Sequence, residues 1–379
     1  MIINRVSLPI VREDTSPYFL AFAFSALLFV NTVDGKAGTP LRLLIYAFPF
    51  IAFMTVMLTQ QKAEIQTRAV VSAALICAAA LPGWLASGAS LATIREILFV
   101  LATPASFLLR FQINEKFVKI VSVGICLCVA LFIGSGRVTQ GEFSLLNSDG
   151  AIGESHMAYP AAALTIYFFA VRKMPWSALM LVATVLSFKR GALLALALGL
   201  TAYIALGLVP ARRIVGLSII ATLAFFMTGL TIALSLSALM PLLEDYLPIG
   251  MSVNEALMGR EIVNLILLEV LGVAKDYQIA FGFGAGFASE LVVSITSLKQ
   301  PHNDYLRIVV DYGILGFILL AISWLALNSE GRLSCALALL TATLYLSDNT
   351  FIYYYHNFIV AAAIIAYRSE RDQLAAGEC

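Results

Sequence analysis

Apolar runs of about 17–25 residues recur along this chain from near its start to near its end. Wound as a helix, such a run is about as long as a bilayer's hydrocarbon core is thick. Within that core only a helix or a closed barrel satisfies its own backbone groups. A membrane barrel would alternate polar and apolar residues in segments of roughly ten, and that alternation is absent here. Of the 379 residues, 60% are hydrophobic and 12% charged, more apolar surface than a water-soluble core absorbs. The expected fold class is an all-α polytopic membrane protein, a single integral-membrane domain over residues 1–379.

Taken in order, the runs predict about twelve spans, near 17–33, 41–59, 69–86, 92–110, 118–134, 156–171, 176–188, 191–209, 214–240, 303–327, 333–346 and 351–368. The seventh and eleventh are short, and only Lys189-Arg190-Gly191 separates the seventh from the eighth. No tandem repeat, low-complexity segment or foldable soluble domain interrupts them. The polar start runs into the first span without a small-residue cleavage site, which predicts an uncleaved first helix. Five cysteines, four in apolar spans and one near the end, imply no disulfide framework.

With the N-terminus inside, about fourteen Lys and Arg fall in inner segments and about nine in outer ones. Both termini are then cytoplasmic, provided the short seventh helix spans. Two outer segments are long, 135–155 and 241–302. The second, before the tenth span, carries an amphipathic stretch, GREIVNLILLEVLGV, expected to lie on the membrane surface, and then the glycine-rich turn FGFGAGF. A net charge of +1 offers nothing to a nucleic acid.

The chain has three histidines, and His302 opens the tenth span in PHNDYLRIVVDYGILG. Helical spacing puts His302, Leu306, Val309, Gly313 and Gly316 on one stripe, where Gly313 and Gly316 would let a neighbouring helix approach closely. The positive end of the helix disfavours imidazolium, leaving a neutral ring able to take a proton from a substrate hydroxyl. Pattern alone fits equally well an interfacial histidine bonded to loop backbone. Asp304, Arg307 and Asp311 fall on a second stripe, spaced for ion pairing within the helix.

Lys189 and Arg190 sit against the charge bias, at a break between spans. Interrupted helices at membrane depth often line a binding cavity, where a guanidinium suits phosphate oxygens. Snorkelling to lipid headgroups is the alternative. Arg260 opens the amphipathic stretch and by itself reads as a headgroup contact. His156 and His356, at span ends, read as packing or interfacial residues. Arg95 and Glu96 could pair with each other or assist an acceptor site. Asp34, in the first outer loop, could be the acid of a membrane glycosyltransferase, although a lone loop aspartate is usually only solvated. FGFGAGF follows no strand, so it is not a nucleotide loop, and no His or Cys cluster has metal spacing.

Histidine, asparagine, nine residues, glycine, two residues, glycine: HNDYLRIVVDYGILG resembles the signature of the O-antigen ligase and O-antigen polymerase superfamily of bacterial envelopes. FGFGAGF resembles that family's glycine-rich turn, GREIVNLI its arginine-led loop helix and SFKRGALLALALG its arginine-glycine motif. The similarity covers roughly residues 150–330. It implies a GT-C-like glycosyltransferase of the bacterial inner membrane, acting at the periplasmic face without metal or other cofactor. A glycan would pass, with inversion, from undecaprenyl diphosphate to an acceptor sugar hydroxyl. That acceptor would be lipid A-core for a ligase, or a second lipid-linked glycan for a polymerase.

By the same resemblance, His302 would be the general base and Arg190 and Arg260 would hold the diphosphate. Lys189 stands where the family often has serine, which makes it a second candidate for that contact. Asn303, Asp311, Gly313 and Gly316 would support the site. Asn264 stands where an aromatic residue is common, and Asp311 where glutamate is usual. Two rival readings are a lipid-linked oligosaccharide flippase using the arginines as substrate charges, and a metal-dependent glycosyltransferase built on Asp34.

Overall fold

The computed structural model describes residues 16–33, 113–135, 155–236, 260–295, 303–328, 331–348 and 354–376, with scattered positions between them such as Phe48, Glu96 and Pro301. The elements in these segments are helices: α1 (Ser16–Val33), α2 (Glu115–Gly134), α3 (Ala158–Ala170), α4 (Met174–Leu186), α5 (Arg190–Gly207), α6 (Ala211–Leu234), α7 (Arg260–Gly272), α8 (Asp276–Phe281), α9 (Phe287–Ile295), α10 (Asp304–Asn328), α11 (Arg332–Ser347) and α12 (Tyr354–Ala376). The expected spans at 41–59 and 92–110 lie outside the described residues except for Phe48 and Glu96, and 69–86 is described only at scattered positions.

Among the described residues, Glu115–Gly134, Arg190–Gly207, Arg213–Leu234 and Asp304–Ile322 are long and apolar enough to cross a membrane. The outward faces of α4, α5 and α6 present Val182, Leu194, Ile204, Ile220 and Leu223 to the surroundings. Water would penalise that belt and lipid would not. The protein is a helical membrane protein.

Helices in lipid gain little from hydrophobic exclusion, so close packing of small residues holds them together. The central α3 is buried throughout from Ala158 to Phe168, with α4, α5, α11 and α12 around it. Gly191, Ala195 and Gly199 form the face of α5 that meets α11. A Cβ on Gly199 would sit 2.6 Å from Ile166 Cδ1 and 3.1 Å from the Ala336 carbonyl oxygen. At the N-terminus of α2, the Asn114 side chain accepts the Phe117 N–H at 3.0 Å. Further along α2, a Cβ on Gly124 would lie 2.7 Å from Ser25 Cβ, so α1 and α2 cross almost in backbone contact. Phe24, which is 4.6 Å from Phe358 between ring centroids, ties this pair to α12.

The ends of these helices sort into two sets. At one end Ser155 donates its N–H to the Ser187 carbonyl (3.0 Å), Gly191 abuts Ser347, and Tyr345 donates to Asn357 (3.3 Å). At the other, Lys173 pairs with Glu115 (3.5 Å), Tyr167 donates to Glu370 (3.2 Å), and Arg332 lies over the Tyr203 ring (5.5 Å). Helices α3, α4, α5, α11 and α12 therefore each join one set to the other. That includes α4, whose 13 residues make a rod of about 20 Å.

Candidate functional site

The break between α4 and α5 is built by three residues of different conformation. The Ser187 hydroxyl turns back to the Ala183 carbonyl (2.8 Å). Phe188 takes the left-handed region with φ 52°, which a side chain rarely adopts. Lys189 is extended, and α5 begins at Arg190. The Lys189 ammonium meets the Asp348 carboxylate at 2.7 Å and lies 5.5 Å over the Tyr159 ring. Tyr159 donates its hydroxyl to the same carboxylate oxygen. Lys189 and Asp348 are 7% and 3% exposed, so the pair is fully inside. Arg190 is half-buried at the first residue of α5.

From this group a line of polar side chains leads to α10. His156 stacks on Tyr159 (6.5 Å), and His356 meets the ring edge-on (6.2 Å) while reaching Thr341 (3.3 Å). Its neighbour Asn357 accepts from Tyr345, whose ring packs 6.3 Å from Tyr305 in the first turn of α10. Gly229 of α6 leaves the room for Tyr305, because a Cβ there would overlap the phenol ring. Asn303 Nδ2, the Tyr305 hydroxyl, His356 Nδ1 and Asn357 Nδ2 are buried and find no hydrogen-bond partner among the described residues. Polar atoms left unpaired inside an apolar bundle are costly.

The mouth of α10 is fixed by its own residues. Asn303 Oδ1 accepts the Leu306 N–H (3.2 Å) as an N-cap. Arg307 binds Glu96 and lies 3.9 Å from the Asp311 carboxylate. Glu96 therefore meets a residue from a distant segment of the chain, while Arg95, its expected neighbour in a pair, lies outside the described residues. Asp311 does more than pair within its helix. Its two carboxylate oxygens accept the N–H groups of Gly286 (3.1 Å) and Ala288 (2.8 Å). The Phe283 and Gly284 amides bond the carbonyls of Val310 (2.8 Å) and Asp311 (3.1 Å). The glycine-rich turn is thus zipped onto α10.

Gly313 has φ 69° and ψ 178°, so the helix is broken there. The regular stripe expected from His302 to Gly316 does not run through that kink. What approaches Gly313 is the last turn of α8: a Cβ would overlap the Ala280 carbonyl, and one on Gly282 would overlap that of Asp311. Both positions need glycine for conformation as well as for space. Gly316 is buried further along α10. Helix α7 buries Val263, Asn264 and Leu267, and one of its faces packs on α10, while Ile262 and Leu265 are exposed.

His302 lies outside the described residues, between the buried Pro301 and Asn303. Asp34, Arg95 and the side chain of Arg260, which starts α7, also lie outside them. Lys189 is linked to the first turn of α10 through Asp348, Tyr159, His356, Asn357, Tyr345 and Tyr305. None of these six was singled out from sequence for a role beside the cations. An aspartate closing the apolar run of α11 was the available signal. No group of three or more His, Cys, Asp or Glu able to hold a metal occurs among the described residues. Compared with protein-family models and with curated proteins, the chain matches none.

Proposed function

We propose that the protein is a GT-C-like glycosyltransferase with about twelve spans, a lipid-linked-glycan ligase or polymerase of the bacterial inner membrane. Both termini face the cytoplasm and the site faces the periplasm. The neutral imidazole of His302 takes the proton of an acceptor sugar hydroxyl. That oxygen attacks the anomeric carbon of a glycan carried on undecaprenyl diphosphate, and the bond to the diphosphate oxygen breaks with inversion. Arg190 and Arg260 offset the charge that develops on the departing diphosphate. The acceptor is lipid A-core or a second lipid-linked glycan.

One observation carries this reading. Buried polar and ionic side chains in and beside α3, α10, α11 and α12, with Lys189 just before α5, gather at one end of an apolar bundle, the end where α5 and α10 begin. Lys189 meets Asp348 there at 2.7 Å, which draws its ammonium away from a diphosphate. The test is glycan transfer from a lipid diphosphate donor by the wild type and by His302→Ala. Loss of transfer in the variant, with chelator harmless to the wild type, is the expected result. Full transfer by His302→Ala would defeat the reading, and inhibition by chelator would redirect it to Asp34.

A further inference from the structure

We propose that Asp348 and Tyr159 are positioning residues that draw Lys189 into the bundle so that Arg190 alone of the two cations meets the lipid diphosphate. This rests on the reading above, and it assigns roles to two residues that the motifs do not reach.

Two adjacent cations at the start of a helix repel each other and are opposed by the helix's positive end. Lys189, 6% exposed as a residue, would be costly there without a partner. Asp348 supplies the opposite charge at 2.7 Å. Tyr159 fixes that carboxylate with its hydroxyl and offers its ring face to the ammonium at 5.5 Å. The backbone is arranged to match. Left-handed Phe188 and extended Lys189 separate the last turn of α4 from the first of α5.

Gly191 then seats the start of α5 on α11, where a Cβ would sit 3.0 Å from Ser347 Oγ, one residue before Asp348. The ion pair and the helix contact therefore lock the same register. With Lys189 held inward, Arg190 enters α5 half-buried, and a guanidinium can grip two phosphate oxygens where an ammonium would grip one.

The test uses the full-length protein in lipid nanodiscs and measures binding of undecaprenyl diphosphate alone, together with the thermal midpoint. Asp348→Asn should weaken binding about tenfold, because Lys189, buried without its counter-charge, pulls the start of α5 and with it Arg190 out of register. Lys189→Met should weaken it less, and the double variant Lys189→Met/Asp348→Asn should recover to within about threefold of wild type. Tyr159→Phe should fall between wild type and Asp348→Asn. Arg190→Ala should abolish binding in either background.

A double variant that binds as poorly as the worse single, or a Lys189→Met loss as deep as that of Arg190→Ala, would overturn the assignment. So would midpoints that fall while affinity stays constant, the mark of a purely structural pair. Absence of binding by the wild type would overturn it as well. A wild type that binds the lipid but transfers no glycan defeats the functional reading alone.

Discussion

The carboxylate of Asp311 accepts the backbone N–H of Ala288 at 2.8 Å, across 23 residues of chain, and that of Gly286 at 3.1 Å through its second oxygen. Both oxygens are used, so an amide cannot replace the acid. In Asp311→Asn an NH2 group would face a backbone N–H, with no acceptor between them. The expected cost is about 2–3 kcal/mol, read as a lower thermal midpoint in detergent. Glycine-rich-turn amides that become open to hydrogen exchange would be the local sign. An unchanged midpoint would count against the zip.

Gly282 and Gly313 approach each other's strands of chain so closely that a Cβ on either would overlap a carbonyl oxygen, and both have positive φ. Gly313→Ala is therefore expected to cost about 3 kcal/mol or more, the sum of overlap and backbone strain. Gly331 supplies the control: its φ is 95°, yet nothing lies within 4 Å of a Cβ placed there. Gly331→Ala should cost only the conformational part, about 1–3 kcal/mol. Thermal midpoints of the two variants, measured side by side, check the difference.

The helices were legible because apolar length is a one-dimensional property: the run read as 118–134 is α2 at Glu115–Gly134, and that read as 176–188 is α4 at Met174–Leu186. In sequence, the segment from Arg260 to Ile295 reads as an outer loop with a helix and a turn, and nothing local in it records the zip onto α10. A glycine that permits a left-handed residue and one that permits helix contact look the same in sequence, so the kink at Gly313 was hidden in what read as a regular stripe. The partners of Lys189 were hidden for another reason. Tyr159 and Asp348 are joined across 189 residues, and no local spacing records such a meeting. Buried Asn357 and Tyr345 were invisible in the same way, because each looks like an ordinary polar residue at the end of an apolar run.

Arg307 joins Glu96, from a distant part of the chain, to Asp311 on its own helix, and all three are at most 3% exposed. A planar guanidinium can address two carboxylates at fixed angles; an ammonium on a flexible stem cannot do so without moving. Arg307→Lys should therefore lower the midpoint almost as far as Arg307→Met, about 3 kcal/mol or more for a buried charge left without its partner. Adding Glu96→Gln to Arg307→Met should return part of that loss. A lysine variant as stable as wild type would mean that charge alone, without the fork, suffices here.

At the opposite end of the bundle, Glu370 of α12 accepts the Tyr167 hydroxyl at 3.2 Å beside Glu115. Burial raises its pKa first and the Glu115 charge adds to the rise, while the Tyr167 hydroxyl and Lys173 oppose it. An acid whose folded pKa lies above its unfolded value binds its proton more tightly when folded. Stability is then lost as pH rises from the ordinary carboxylate range through the raised pKa, and ionised Glu370 is a liability at neutral pH. Glu370→Gln is expected to melt higher than wild type at neutral pH. Its lead should shrink as pH falls towards the ordinary carboxylate value, where wild-type Glu370 is protonated in both states. Midpoints taken across that range in one detergent decide it: a lead that stays constant or grows in acid would show that Glu370 is held as a stable carboxylate instead.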